Sequence, residues 1–118
     1  TSMGPEDLRD LGHAEGVSAE DLALARSRRA FELGCAGVIA SPLEAARIRE
    51  AVGPKLAIVT PGIRPAAAGD DQRRVATPEA AFRAGADYIV VGRPIRDADD
   101  PRGAARSIQE SIARLFGA

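Results

Sequence analysis

Two stretches of the 118-residue chain place strong hydrogen-bond donors among turn-forming residues. From Pro61 to Ala76 it runs Pro-Gly-Ile-Arg-Pro-Ala-Ala-Ala-Gly-Asp-Asp-Gln-Arg-Arg-Val-Ala, sixteen residues with no helical or strand periodicity. Irregular connections of that length are uncommon in compact domains and tend to be functional. This one carries three guanidinium groups, Arg64, Arg73 and Arg74, and the amide of Gln72. The second stretch is Val91-Gly92-Arg93-Pro94. Gly92 has no side chain to hold a ligand off the backbone, and Arg93 offers a planar fork that matches an oxyanion.

Taken singly, the first stretch reads equally as a solvated surface loop and the second as a strand-ending turn. Taken together they form a donor set suited to a dianionic phosphate: Arg64, Gln72, Arg93 and the amides near Gly92. Other reactive types point to structure. His13 sits in an early loop, and Cys35, just after Gly34, reads as a small core residue. Asp99 and Asp100 read as capping carboxylates, while Asp70 and Asp71 would fix the long loop or bind a cation. Lys55, the one lysine, precedes a strand and so lies at the end away from the two loops. There is no Cys/His spacing for zinc and no glycine-rich nucleotide fingerprint, so no metal or cofactor is expected.

The elements that must position these loops are legible. Ala36–Ala40, Leu56–Thr60 and Asp87–Val91 are short, continuous apolar runs, the pattern of parallel strands buried on both faces. Ser18-Ala-Glu-Asp21 has the form of a capping box, Val17 and Leu22 have staple spacing, and Ala23, Leu24, Ser27, Ala30 and Phe31 share a helical face that Gly34 closes. Ser41-Pro-Leu-Glu44 and Thr77-Pro-Glu-Ala80 open further helices with proline in the first turn. Gly85 ends the second of these. Asp100-Pro101 opens the last helix, whose core face is Ala105, Ile108, Ile112 and Leu115. After a first loop the order is helix, strand, helix, strand, helix, strand, helix. Such alternation implies a right-handed parallel α/β sheet, either doubly wound or part of a (β/α)-barrel. In both, ligands bind at the carboxyl ends of the strands, where the two donor-bearing stretches lie. A complete eight-unit barrel needs roughly 250 residues, so this chain is expected to supply about half of one as a single structural unit, residues 1–118.

Composition excludes several classes. The chain has 45% hydrophobic and 28% charged residues, which is globular and not disordered. Sixteen basic against seventeen acidic residues leave a net charge of −1, without the basic excess expected for nucleic acid or membrane surfaces. No apolar run reaches the roughly 20 residues of a membrane span. One cysteine cannot form an internal disulfide, which suits a reducing cytoplasm. The chain opens at Thr1 and not at Met, so a preceding segment is expected.

Thr60-Pro-Gly-Ile-Arg-Pro65, Gly69-Asp-Asp-Gln-Arg-Arg74, Thr77-Pro78 and Gly85-Ala-Asp-Tyr-Ile-Val-Val-Gly-Arg-Pro94 resemble, in order and spacing, the bacterial branch of the orotidine 5′-phosphate decarboxylase family. The resemblance covers about residues 1–112. It implies a TIM barrel of which this chain forms units five to eight, with Thr1-Ser2-Met3 ending the fifth strand. It implies that Arg64, Gln72, Gly92 and Arg93 bind substrate, with Gln72 and Arg93 on the phosphate, that Thr1 and Ser2 lie near the pyrimidine, and that Pro61 lines the base side.

The activity so implied is cofactor-free conversion of orotidine 5′-phosphate to UMP and carbon dioxide, completing pyrimidine synthesis in a cytoplasmic homodimer. The family's Asp-x-Lys-x-x-Asp motif, whose lysine protonates the carbanion at C6, is absent from this sequence, so catalysis is expected to need the N-terminal half of the barrel as partner. A non-catalytic phosphate-binding half barrel and another sugar-phosphate lyase of the same superfamily are the alternatives.

Overall fold

The computed structural model describes residues 5–65 and 76–117, so the expectations for Thr1, Ser2, Asp70, Asp71, Gln72, Arg73 and Arg74 lie outside the described residues. Its elements are α1 (Pro5–Asp10), α2 (Ala19–Glu32), β1 (Gly37–Ile39), α3 (Pro42–Val52), β2 (Ala57–Thr60), α4 (Pro78–Arg83), β3 (Tyr88–Ile89), α5 (Arg93–Arg96) and α6 (Pro101–Phe116). The three strands are parallel in the order β1-β2-β3, with Gly37 opposite Ala57 and Thr60 opposite Ile89.

Local chemistry accounts for the boundaries. Ser41 accepts from the Leu43 amide while Glu44 accepts from the Ser41 amide, closing a full capping box. At Ser18 only half of the expected box forms. Its hydroxyl accepts from the Asp21 amide and donates to the Asp21 carboxylate, which therefore does not reach back to the Ser18 amide. Thr77 and Asp100 cap α4 and α6 as their sequences require. Two short helices were not foreseen. Pro5–Asp10 forms a helical turn with Leu8 buried at 3% exposure. Arg93–Arg96, read as part of a turn, is helical because Pro94 presets the first-turn backbone and the Ile95 and Arg96 amides close onto the Gly92 carbonyl.

The helices cover one side of the sheet. Ala40, Leu56 and Ile58 pack with Ala45 and Ile48 of α3, and a second cluster joins Ile63, Ala81 and Ala86. The expected α6 face is present, with Ile108 buried and Ala105, Ile112 and Leu115 half-buried. The other side of the sheet is uncovered among the described residues. Ile39, Val59 and Tyr88 lie in one register row, and Ile39 is 74% and Tyr88 64% exposed. A doubly wound sheet would carry helices there. A barrel instead points that face at its own interior, which explains why apolar residues stand uncovered. Two corrections share this cause or its edge. Cys35 is exposed, not core, because it leads into β1, whose outer edge has no neighbouring strand among the described residues. Phe31 turns 39% of its surface outward at the end of α2.

Gly37 is a requirement of close packing. A Cβ there would lie 2.7 Å from the Ala57 carbonyl oxygen and 3.0 Å from the Ala57 Cβ. Backbone cannot yield as a flexible side chain does, so Gly37→Ala is expected to destabilise the fold by about 2 kcal/mol through overpacking. Urea unfolding of the full-length protein, read as a shift in midpoint at constant slope, checks this.

Candidate functional site

Parallel pairing puts the carboxyl ends of β2 and β3 side by side, and both donor-bearing stretches leave from those ends. Thr60 pairs with Ile89, and the Val90 amide donates to the Thr60 carbonyl at 2.9 Å. One residue later, half-buried Pro61 turns the chain away, and Ile63 is buried at 2% exposure. The long connection is tied at its base: Ile63 forms a parallel bridge with Ala76, and the Arg64 amide donates to the Ala76 carbonyl at 3.0 Å. Its two ends are therefore fixed beside each other, and Arg64 stands half-buried where the loop departs.

The second stretch is equally defined. Val91 packs against the Ile63–Ala81–Ala86 cluster. Gly92 then adopts φ −105° and ψ −96°, and Arg93 opens α5 with its side chain exposed. Arg96 is committed to Asp97 by a two-point contact at 2.6 and 2.9 Å. That bond, and then the nearby charges of Arg96 and Arg93, hold the Asp97 carboxyl below its usual value. Among the described residues Arg64 and Arg93 have neither a hydrogen bond from their side chains nor an ion pair. Two uncommitted guanidinium groups at the ends of adjacent strands suit an anion supplied from outside the chain.

The structure thus brings Pro61, Arg64, Gly92 and Arg93 to one end of one sheet. Lys55 lies exposed just before β2, at the opposite end, as its sequence position implied. His13 is half-buried between α1 and α2, away from the strand ends. A cavity of about 540 Å³ opens elsewhere, between α1, α2, β1 and α3. Its walls are largely aliphatic, and Glu20 and Glu44 set two carboxylates against the lone guanidinium of Arg26, a poor setting for a dianion. Among the described residues no group of three His, Cys, Asp or Glu side chains could hold a metal ion.

Sequence reasoning missed two residues around this framework. Thr60 is fully buried and its hydroxyl donates to the Tyr88 carbonyl at 3.4 Å. A threonine ending an apolar strand gives no sign of that in sequence. Arg49, at the last turn of α3, gathers carbonyls at the amino end of the sheet, a role visible only once α3, β2 and β3 are packed.

Comparison with known proteins identifies the family and the fold. A family model described as "Orotidine 5'-phosphate decarboxylase / HUMPS family" matches residues 1–108. The orotidine 5′-phosphate decarboxylase of Methylobacterium sp. (strain 4-46) is 54% identical over 114 residues, covering 96% of this chain and 48% of the relative. That of Methylococcus capsulatus is 52% identical over 120 residues, covering 100% and 49%. The crystal structure of orotidine 5′-phosphate decarboxylase from Lactobacillus acidophilus superposes with a TM-score of 0.78 at 36% identity, covering all of this chain and 46% of that one. The chain spans about half the length of the curated relatives it matches. The open interior face of its sheet is that of half a TIM barrel.

Proposed function

The chain belongs to the orotidine 5′-phosphate decarboxylase / HUMPS family, and on that premise we propose that it supplies the nucleotide-gripping half of an enzyme converting orotidine 5′-phosphate to UMP and carbon dioxide. One observation carries this reading: Arg64 and Arg93, both uncommitted among the described residues, leave the carboxyl ends of adjacent parallel strands. Ligands in such barrels bind at that end, and the loops after the last two strands frequently take phosphate. Gln72 joins Arg93 on the phosphate, Pro61 and Gly92 bound the pocket, and Thr1 and Ser2 approach the base.

Loss of carbon dioxide leaves an electron pair at C6 of the pyrimidine, which must be stabilised and then protonated. The chain's one lysine, Lys55, lies at the wrong end of the sheet. The proton donor and its aspartate partners therefore belong to the other half of the barrel, and no cofactor is invoked. The phosphate grip contributes at a distance. Binding energy gained there positions the base, so it lowers the barrier as well as tightening the complex. Residues 1–118 act as one structural unit within a cytoplasmic homodimer.

The test is turnover by the full-length protein, followed as the loss of orotidylate absorbance, with ribulose phosphates as competing candidates. Conversion of orotidylate to UMP without added cofactor is the expected result. Selective turnover of a ribulose phosphate would replace this reading with that of another sugar-phosphate lyase, and tight UMP binding without turnover would replace it with a binding half barrel.

A further inference from the structure

Thr60 presents a physical anomaly. It is 0% exposed, one of two buried polar side chains among the described residues, and it ends a strand whose neighbours are Ile58 and Val59. Valine has nearly the same shape, suits a strand as well, and carries no hydroxyl to desolvate. Burying the hydroxyl is tolerable because it donates to the Tyr88 carbonyl at 3.4 Å. A bond that long does little for global stability. Its location is more informative.

The β2–β3 ladder is very short, since β3 is only Tyr88–Ile89. Thr60 is the last residue of β2 and engages β3 on both sides of Ile89: its hydroxyl donates to the Tyr88 carbonyl, and its own carbonyl accepts from the Val90 amide at 2.9 Å. Beyond it the two strands separate into the two ligand-bearing stretches. Arg64 lies four residues after Thr60, and Arg93 lies three residues after Val90. Any shear between β2 and β3 at this point would change the spacing of the two guanidinium groups.

We propose that Thr60 is a positioning residue whose buried hydroxyl fixes the register of β2 against β3 at the mouth of the site, and thereby the spacing of the Arg64 and Arg93 loops. This rests on the phosphate-binding reading above. A dianion held by two separate forks is sensitive to displacements well under an ångström, so a weak bond at the branch point can matter for affinity while mattering little for folding.

The experiment compares Thr60→Val, Thr60→Ser and Arg93→Ala in the full-length protein by steady-state kinetics with orotidylate and by thermal unfolding. Thr60→Val is expected to raise KM about threefold, the low end of one lost neutral hydrogen bond, while its melting temperature holds or rises. Thr60→Ser restores the hydroxyl and is expected to return KM to within about twofold of the parent. An unchanged KM in Thr60→Val overturns the positioning role, and so does a raised KM that Thr60→Ser fails to rescue although it melts like the parent. If Thr60→Val does not fold, Thr60→Ser and Thr60→Ala decide the matter: both keep a small side chain, and equal KM values for the two overturn the proposal. Arg93→Ala separates the two levels of argument. If it leaves KM unchanged the phosphate reading itself has failed, whereas a strong Arg93 effect beside a silent Thr60→Val defeats only the role given to Thr60.

Discussion

Arg93→Ala in the full-length protein is expected to raise KM for orotidylate by about two orders of magnitude, with a further fall in kcat. Truncating one partner of a desolvated charge-assisted pair costs roughly 2–5 kcal/mol, and 3 kcal/mol corresponds to about 150-fold in affinity. The side chain is exposed and makes no hydrogen bond or ion pair among the described residues, so little change in stability is expected. Gln72→Ala removes a neutral donor, for which about tenfold is expected. The phosphate is remote from the reacting carbon, and such contacts influence kcat when they order a loop over the substrate. Binding of uridine, which lacks the phosphate, should be insensitive to both substitutions. Full activity in both variants would remove the phosphate assignment, and equal losses for uridine and UMP would show damage to the pocket as a whole.

Much of this was legible in the sequence because the signals were local. Serine, threonine or aspartate before proline at residues 41, 77 and 100 marked helix starts that each formed a side-chain cap. Apolar runs of about five residues marked all three strands, and Gly92-Arg93 after the last of them marked the site. What escaped was what depends on distant partners. The same run of β-branched residues describes a strand covered by helices on both faces and a barrel strand facing its own interior, so the runs alone leave the doubly wound sheet and the barrel both open. Cys35 reads as core by type yet stands exposed, since no local rule shows that β1 has no outer neighbour among the described residues. The candidate site residues are legible by type and position, but the burial of Thr60 between them is silent in sequence, its hydroxyl meeting a carbonyl 28 residues away.

Arg49→Ala is expected to produce the largest loss of stability and almost no change in KM. Arg49 is 22% exposed and binds four acceptors drawn from two connections, α3–β2 and α4–β3. Nη1 donates to the carbonyls of Gly53 at 2.8 Å and Leu56 at 2.9 Å. Nε and Nη2 donate to Gly85 at 3.2 and 2.9 Å, and Nη2 also meets the Asp87 carboxylate. That carboxylate in turn accepts the Ile58 amide at 2.8 Å. The ion pair is the lesser part, since Asp87 is 42% exposed and solvent screens it to well under about 1 kcal/mol. The carbonyls weigh more, because each loses a charged donor where water has little access. Together a loss of about 3 kcal/mol is expected, or roughly 6–12 °C in melting temperature at the length of the curated relatives. Arg49→Lys keeps the charge but not the fork, and one ammonium cannot span these acceptors, so it should recover less than half. Full recovery by lysine would mean that charge, not geometry, does the holding. Gly85 fits the same account, because at φ +102° a Cβ would stand 3.1 Å from the Cβ of Arg49. All of these groups lie at the amino end of the strands, opposite Arg64 and Arg93. On the proposed function, stability and binding occupy opposite ends of one sheet, as barrel architecture favours, and substitutions at either end should move one property without the other.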